Sequence, residues 1–169
     1  MSEHVANFLV GEIENRNDMT TQLFDVRDFD FPKDNYGQDI KGEFPEWRDA
    51  ATRSDGIIII SPEYNHSFPG PLKSALDVLL PEFKHKVGGI VGVSAGPWGG
   101  TRVIESLVPI MRYMGLMPSS LDLNFPSVSD VFDEDGNIKD RGASERAKKF
   151  LDELSWLSRS MKWGRDNIK

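Results

Sequence analysis

The hydrophobic pattern divides the chain into short apolar runs that alternate with amphipathic stretches. Its clearest passage is 56–80, GIIIISPEYNHSFPGPLKSALDVLL. Four consecutive isoleucines at 57–60 are stiff at χ1 and suit a strand. Apolar on both sides, that strand is expected to be buried on both faces, as in a parallel sheet covered by helices. Pro71 suits the first position of a following helix. Leu72, Ala75, Leu76 and Leu79 then fall at i, i+3, i+4 and i+7, which is one helical face.

The same alternation extends in both directions. Val5, Phe8, Leu9 and Ile13 predict a helix over 3–15, with Ser2 as N-cap. A short strand is expected at 22–26, a charged surface loop at 27–42, and a helix at 44–54 with Pro45 in its first turn. Beyond the isoleucines, 87–94 reads as a second buried strand, rich in glycine. A helix over 101–114 carries Pro109 in its interior, where a kink is expected, and Gly115 as terminator. A third strand is expected at 116–123, a long loop at 124–142 with a turn at 133–137, and a last helix at 144–161. Strand and helix in this order predict one α/β domain over 1–169 with a parallel sheet and right-handed crossovers.

Composition narrows the function classes. The chain has 169 residues, 38% hydrophobic and 28% charged, which suits one globular core. Its net charge of −7 argues against a nucleic-acid partner, which needs a Lys/Arg surface. No apolar run is long enough for a membrane helix. Without cysteine there is no disulfide, thiolate nucleophile or Cys metal site. A cytoplasmic setting is expected. His4 and His85 stand alone and suggest no metal site. Lys73 and Asp77 lie one turn apart and are expected to pair. Trp156 and Trp163 are expected in the core or at a subunit contact, and Gly88, Gly89 and Gly92 in close helix packing.

In open parallel sheets ligands bind beyond the carboxyl ends of strands. Two distinctive loops leave such ends. Loop 61–70 reads SPEYNHSFPG, and 94–100 reads SAGPWGG. Glycines there allow a flat ligand to approach the backbone closely. Tyr64 and Trp98 offer flat apolar surface, and His66 is a weaker candidate for contact with a substrate.

Pro62, Glu63, Tyr64 and Asn65, followed by Ser67, Pro69, Gly70, Leu72, Lys73 and Asp77, resemble the motif of the NADPH-dependent FMN reductase family. Ser74 departs from that family's usual Asn. Ser94, Gly96, Gly99 and Gly100 resemble its second loop, and the order of elements matches over nearly the whole chain. The resemblance implies a flavodoxin-like three-layer sandwich with strand order 2-1-3-4-5. It implies FMN and NAD(P)H as cofactors and hydride transfer through flavin to a quinone, azo, flavin or metal acceptor. It places the flavin on Pro62, Glu63, Tyr64, Asn65, Ser94, Ala95, Gly96, Trp98, Gly99 and Gly100, with no protein acid or base. A homodimer or homotetramer is implied, with the helix from Pro71 near the subunit contact.

One departure concerns the phosphate end. Similar proteins begin with a buried strand and a Gly-Ser-x-Arg loop that holds the FMN phosphate. Here the first helix is expected to begin at once, and Ser2 is what remains of that loop. A central strand's aliphatic side chains are worth on the order of 10 kcal/mol. The first expectation is therefore that the numbering begins at an internal Met of a longer natural protein; the alternative is that another segment, or a strand from a partner chain, fills the gap. The alternative reading is a non-catalytic flavodoxin-like protein that has lost FMN binding. An electron-carrier flavodoxin is weaker still, since the PEYN/PGxLK pairing resembles the reductases.

Overall fold

Strand β2 (Lys86–Val93) is the axis of the sheet, and every one of its residues is buried. The computed structural model describes residues 1–34 and 37–168. Positions 35 and 36, inside the loop expected at 27–42, lie outside the described residues. Helix α1 (Ser2–Glu14) opens the chain, and Met1 rather than Ser2 takes the N-cap position. A 3-10 turn at Val26–Asp28, another at Gln38–Glu43 and helix α2 (Pro45–Arg53) lead into β1 (Gly56–Pro62). Helix α3 (Gly70–Asp77) connects β1 to β2. Helix α4 (Thr101–Met114) runs uninterrupted past Pro109 and ends on Gly115 at φ 84°. Two short strands, β3 (Leu116–Pro118) and β4 (Leu123–Phe125), precede α5 (Val128–Val131) and α6 (Ala143–Asn167).

All strand pairs are parallel. β1 lies along one edge of β2, and β3 and β4 share the other edge. The strand expected over 116–123 is therefore broken in two. Its register against β2 steps from Gly88↔Pro118 to Val91↔Leu123, so three residues of β2 span five of the partner. The polar residues Ser119 and Ser120 occupy that bulge.

Two apolar layers flank the sheet. One face carries α2, α3 and α4 over Ile59, Ile90, Leu107 and Met111. The other carries α1 and α6 over Val91, Val93, Phe125 and Phe150. This is the expected three-layer α/β arrangement. Gly88 lies against Met111 and Gly89 against Phe150, where an added Cβ would meet side-chain carbons at 2.0 and 2.6 Å. At the amino ends of the strands the buried ammonium of Lys86 donates to the carbonyls of Ala51 and Thr52, which closes the end of α2.

Trp156 and Trp163 are exposed, so of their two expected places the core is ruled out and the subunit contact is left. Two other expectations fail for one reason. The isoleucine strand is half-buried rather than buried on both faces, and only Ile59 is nearly inaccessible. Residues 22–25 form no strand and carry no regular secondary structure. Among the described residues β1 has no neighbour on its second edge, so the surfaces that such a neighbour would cover stay open. The loop at 27–42 also contributes more than surface, because Phe31 is buried against Phe29 and Phe44.

Candidate functional site

The carboxyl ends of β1 and β2 carry the two loops side by side. Loop 62–67 closes as a tight hairpin. Tyr64 N–H donates to the Ser67 carbonyl at 2.8 Å, and Ser67 N–H returns the bond to Tyr64 at 3.0 Å. The two residues between, Asn65 and His66, have φ of 49° and 67°. Positive φ at both central positions is the signature of a type I′ turn. The Ser106 hydroxyl of α4 lies 3.2 Å from the His66 carbonyl and shares its single proton with the Arg102 carbonyl at 2.8 Å. The tip therefore projects rigidly, with Tyr64, Asn65 and His66 exposed.

Loop 94–100 is pinned from below. Ser94 Oγ donates to the Gly96 carbonyl at 2.9 Å, and Ser127 N–H donates to the same oxygen at 2.9 Å. Gly99 and Gly100 are buried and adopt φ of 60° and 76°. A Cβ on Gly92 would stand 2.6 Å from the Gly99 carbonyl oxygen, so the loop folds directly onto the backbone of β2. Asn124 Nδ2 holds the Gly99 carbonyl at 3.0 Å. Ala95, Gly96, Pro97 and Trp98 remain exposed above this base. A Cβ on Gly96 would meet nothing within 4 Å, so its bare backbone faces open space.

Glu63 joins the loops. Its N–H donates to the Val93 carbonyl at 2.9 Å. Its carboxylate, 11% exposed, receives the backbone N–H of Arg102 and one guanidinium nitrogen, each at 3.3 Å. Helix α4 has Gly100 at its N-cap and no side-chain cap of its own, so the Glu63 carboxylate supplies the negative partner for its first turn. The sequence singled out neither Arg102 nor Asn124. Arg102 carries no motif signal, and Asn124 lies just past the strand expected at 116–123.

The site fits a flavin ring better than a flavin phosphate. Two amides expected for the ring edge, Glu63 N–H and Tyr64 N–H, are already satisfied inside the protein. Asn65 N–H and the amides of Ala95 and Gly96 have no backbone partner among the described residues. Each loop also carries one exposed aromatic ring, Tyr64 on the first and Trp98 on the second. At the phosphate end, Ser2 is half-buried in the first turn of α1. Its neighbour Glu3 is bonded to Arg27 at 2.9 Å, which already turns to the Asp25 carboxylate as well. Glu3 places negative charge where an anion would dock, so the described residues do not complete a phosphate cradle.

The sequence profile of NADPH-dependent FMN reductases matches residues 1–128. The chain belongs to the NADPH-dependent FMN reductase family. A 2-hydroxy-1,4-benzoquinone reductase of a Burkholderia species is 29% identical over 141 residues, 78% of this chain and 74% of the relative. An NAD(P)H-dependent FMN reductase of Pseudomonas aeruginosa is 28% identical over 148 residues, 83% of this chain and 80% of the relative. Among solved structures, the flavoenzyme NAD(P)H:(acceptor) oxidoreductase FerB of Paracoccus denitrificans superposes with a TM-score of 0.79 at 20% identity. The match covers 95% of this chain and 91% of FerB. The fold is thus the flavodoxin-like α/β sandwich of these flavoenzymes, and the family's cofactors are FMN and NAD(P)H. Among the described residues no group of acidic or histidine side chains could hold a metal ion, and no helix is long and apolar enough to cross a membrane.

Proposed function

We propose that the chain is an NAD(P)H-dependent flavin oxidoreductase that reduces small quinone-type or azo acceptors. The observation that carries this reading is the pairing of the rigid 62–67 turn with the bare backbone of 95–97 at adjacent strand ends. When bound, FMN would supply the two-electron relay from NAD(P)H to the acceptor, a quinone taking up two electrons and two protons to become hydroquinone.

The protein's part is placement. Asn65 N–H and the amides of Ala95 and Gly96 would donate to the polar edge of the ring. Pro62, Tyr64 and Trp98 shield its faces, and Gly96 lets the ring come close. Glu63, Ser94, Gly99 and Gly100 act one layer below, where they fix the shape of the two loops. Ala95 takes part through its backbone, and Ser2 marks the phosphate end. No side chain here serves as acid or base. The relatives named for benzoquinone and FMN support the acceptor class. The protein assembles as a homodimer or homotetramer with α3 near the subunit contact, and it works in the cytoplasm.

The test is to titrate FMN into the purified chain, then supply NAD(P)H with benzoquinone. Saturable flavin binding and stoichiometric hydroquinone formation are expected. A chain that stays colourless and leaves NAD(P)H untouched would instead establish the second reading, a flavodoxin-like protein without FMN. The specific observation in that reading's favour is Glu3 at the phosphate end of the site.

A further inference from the structure

Helix α6 continues past the core it serves. Its buried residues end at Ser155, and from Trp156 to Asn167 none is buried. That end is about three turns long, a length at which a helix without packing is marginal in water. Its inner side is tied down by charge. Lys162 and Arg165 donate to the Asp55 carboxylate at 3.2 and 2.6 Å, and Arg165 to the His85 carbonyl at 2.7 Å. Its outer side is bare. There Trp156 is 59% exposed and Trp163 63%, and with Arg159 and Ser160 they line a shallow groove of about 480 Å³. Neither tryptophan lines the cleft beside the free edge of β1, so a segment lying along that edge leaves both rings exposed.

The spacing of the rings specifies what fits them. Residues seven apart lie on one helical stripe, and this stripe runs Lys149, Trp156, Trp163. The midpoint of the two rings falls between Arg159 and Ser160. In a two-fold contact each surface meets a copy of itself. Two helices packed antiparallel about that midpoint bring Trp156 of each copy onto Trp163 of the other, so two identical ring pairs form at once. Parallel packing would set Lys149 against Lys149 and align the two helix dipoles, and both effects are repulsive. Antiparallel packing carries Lys149 beyond the far helix end. Arg159 Nε donates at 3.4 Å to the Ser155 carbonyl of its own helix, which leaves the rest of its guanidinium free to lie on an indole face of the second copy. Four rings at this exposure bury on the order of 500 Å², near half of the ~1,200 Å² at which specific interfaces begin. The rest comes from the flanking side chains of the same turns on both copies.

We propose that the outer face of α6 is a two-fold contact between copies of this chain, with the two helices antiparallel about an axis beside positions 159 and 160. α6 covers the sheet face opposite α3, so this contact is distinct from one around α3, and both can form in a single assembly. It rests on α6 alone and is independent of the flavin chemistry.

Sedimentation of the purified chain reads the size of the assembly. W156A/W163A removes two exposed rings, should leave Tm nearly unchanged, and is expected to halve the mass. W156E alone should do the same. W156E/W163K sets opposite charges across each antiparallel ring pair and should restore the parent mass at low salt, whereas a parallel pair would set like charges together. The chain has no cysteine, so a single introduced one reports position. S160C, at the axis, should be joined to its copy by a short bis-maleimide. K149C, about 30 Å from its copy along the helices, should not. A parent mass that W156A/W163A leaves unchanged overturns the proposal, as does cross-linking through K149C in place of S160C. A monomeric parent overturns it too, and loss of anionic-vesicle binding in W156A/W163A would then make the face a lipid surface.

Discussion

The Glu63 carboxylate receives the backbone N–H and the guanidinium of Arg102, 39 positions along the chain, at 3.3 Å each. A residue that reads in sequence as part of a ligand loop thus caps the helix that follows the other loop. Its charge sits at the amino end of α4, where the helix dipole favours an anion. Glu63→Ala is expected to cost about 1–2 kcal/mol, and the loss should show as a lower urea midpoint. Glu63→Gln retains an acceptor and should recover about half of it. If the two loops hold FMN jointly, Glu63→Ala also weakens flavin affinity more than its stability loss accounts for. Arg102→Ala leaves the backbone bond intact and should be the milder change.

The 62–67 turn stores strain that substitution can release. His66 has a Cβ and a φ of 67°, a conformation costing L residues about 1–2 kcal/mol. His66→Gly creates the Asn-Gly pair that a type I′ turn prefers. The expected result is a gain of up to about 1 kcal/mol in unfolding free energy, read as an increase in Tm. His66→Val should lower it by a similar amount. A loss on His66→Gly would mean that the imidazole itself holds the turn.

Most of the fold was legible because the helices announce themselves by period. Val5, Leu9 and Ile13 are buried as their spacing requires, as are Leu107, Met111, Phe150 and Leu151. Gly115 ends α4 in the left-handed conformation expected of it. The Lys73–Asp77 pair also forms, at 2.6 Å. What sequence could not give was pairing. Residues 22–25 have the composition of a strand, but a strand exists only beside a partner, and here the adjacent position is open. The bulge at Ser119 and Ser120 likewise depends on the register of β2. At the site the motif residues were legible, but not the division of labour among them. Whether Glu63 N–H faces a ligand or the Val93 carbonyl is decided by how two loops meet, and no local pattern records that.

Acid should loosen the junction between α1 and α6. The Asp18 carboxyl is held well below the usual carboxylate range, first by the Arg16 guanidinium and then by the Ser155 hydroxyl at 2.7 Å. Arg16 also reaches Asp152 at 2.7 Å. Because the folded state lowers the pKa of Asp18, the unfolded chain takes up that proton first. The stabilisation is complete above the unfolded value of about 3.9 and is lost as pH falls from there towards the folded value. Asp18→Asn should cost about 1 kcal/mol at neutral pH. It should also flatten the fall in urea midpoint between pH values of about 5 and 2. An unchanged acid limb in the variant would assign the acid sensitivity to other carboxylates.

Two glycines in the same loop system separate folding from ligand approach. A Cβ on Gly92 would lie 2.6 Å from the Gly99 carbonyl oxygen and 2.8 Å from that of Gly100. Both are backbone atoms in a segment pinned by Asn124 and Ser127, so they cannot move aside without breaking those bonds. Gly92→Ala is therefore expected to cost about 2–3 kcal/mol and to displace the whole 94–100 loop. Gly96 is the opposite case. Its Cβ would meet no protein atom within 4 Å, and its φ needs no glycine. Gly96→Ala should leave Tm within a degree or so of the parent, since exposed substitutions usually change stability by less than about 0.5 kcal/mol. Its expected effect is on flavin alone. A methyl group on the bare surface that admits the ring should raise the FMN dissociation constant by about tenfold, equivalent to about 1.4 kcal/mol. Measuring Tm and FMN affinity on both variants distinguishes the two roles. If Gly96→Ala binds FMN as tightly as the parent, the ring does not lie over loop 95–97.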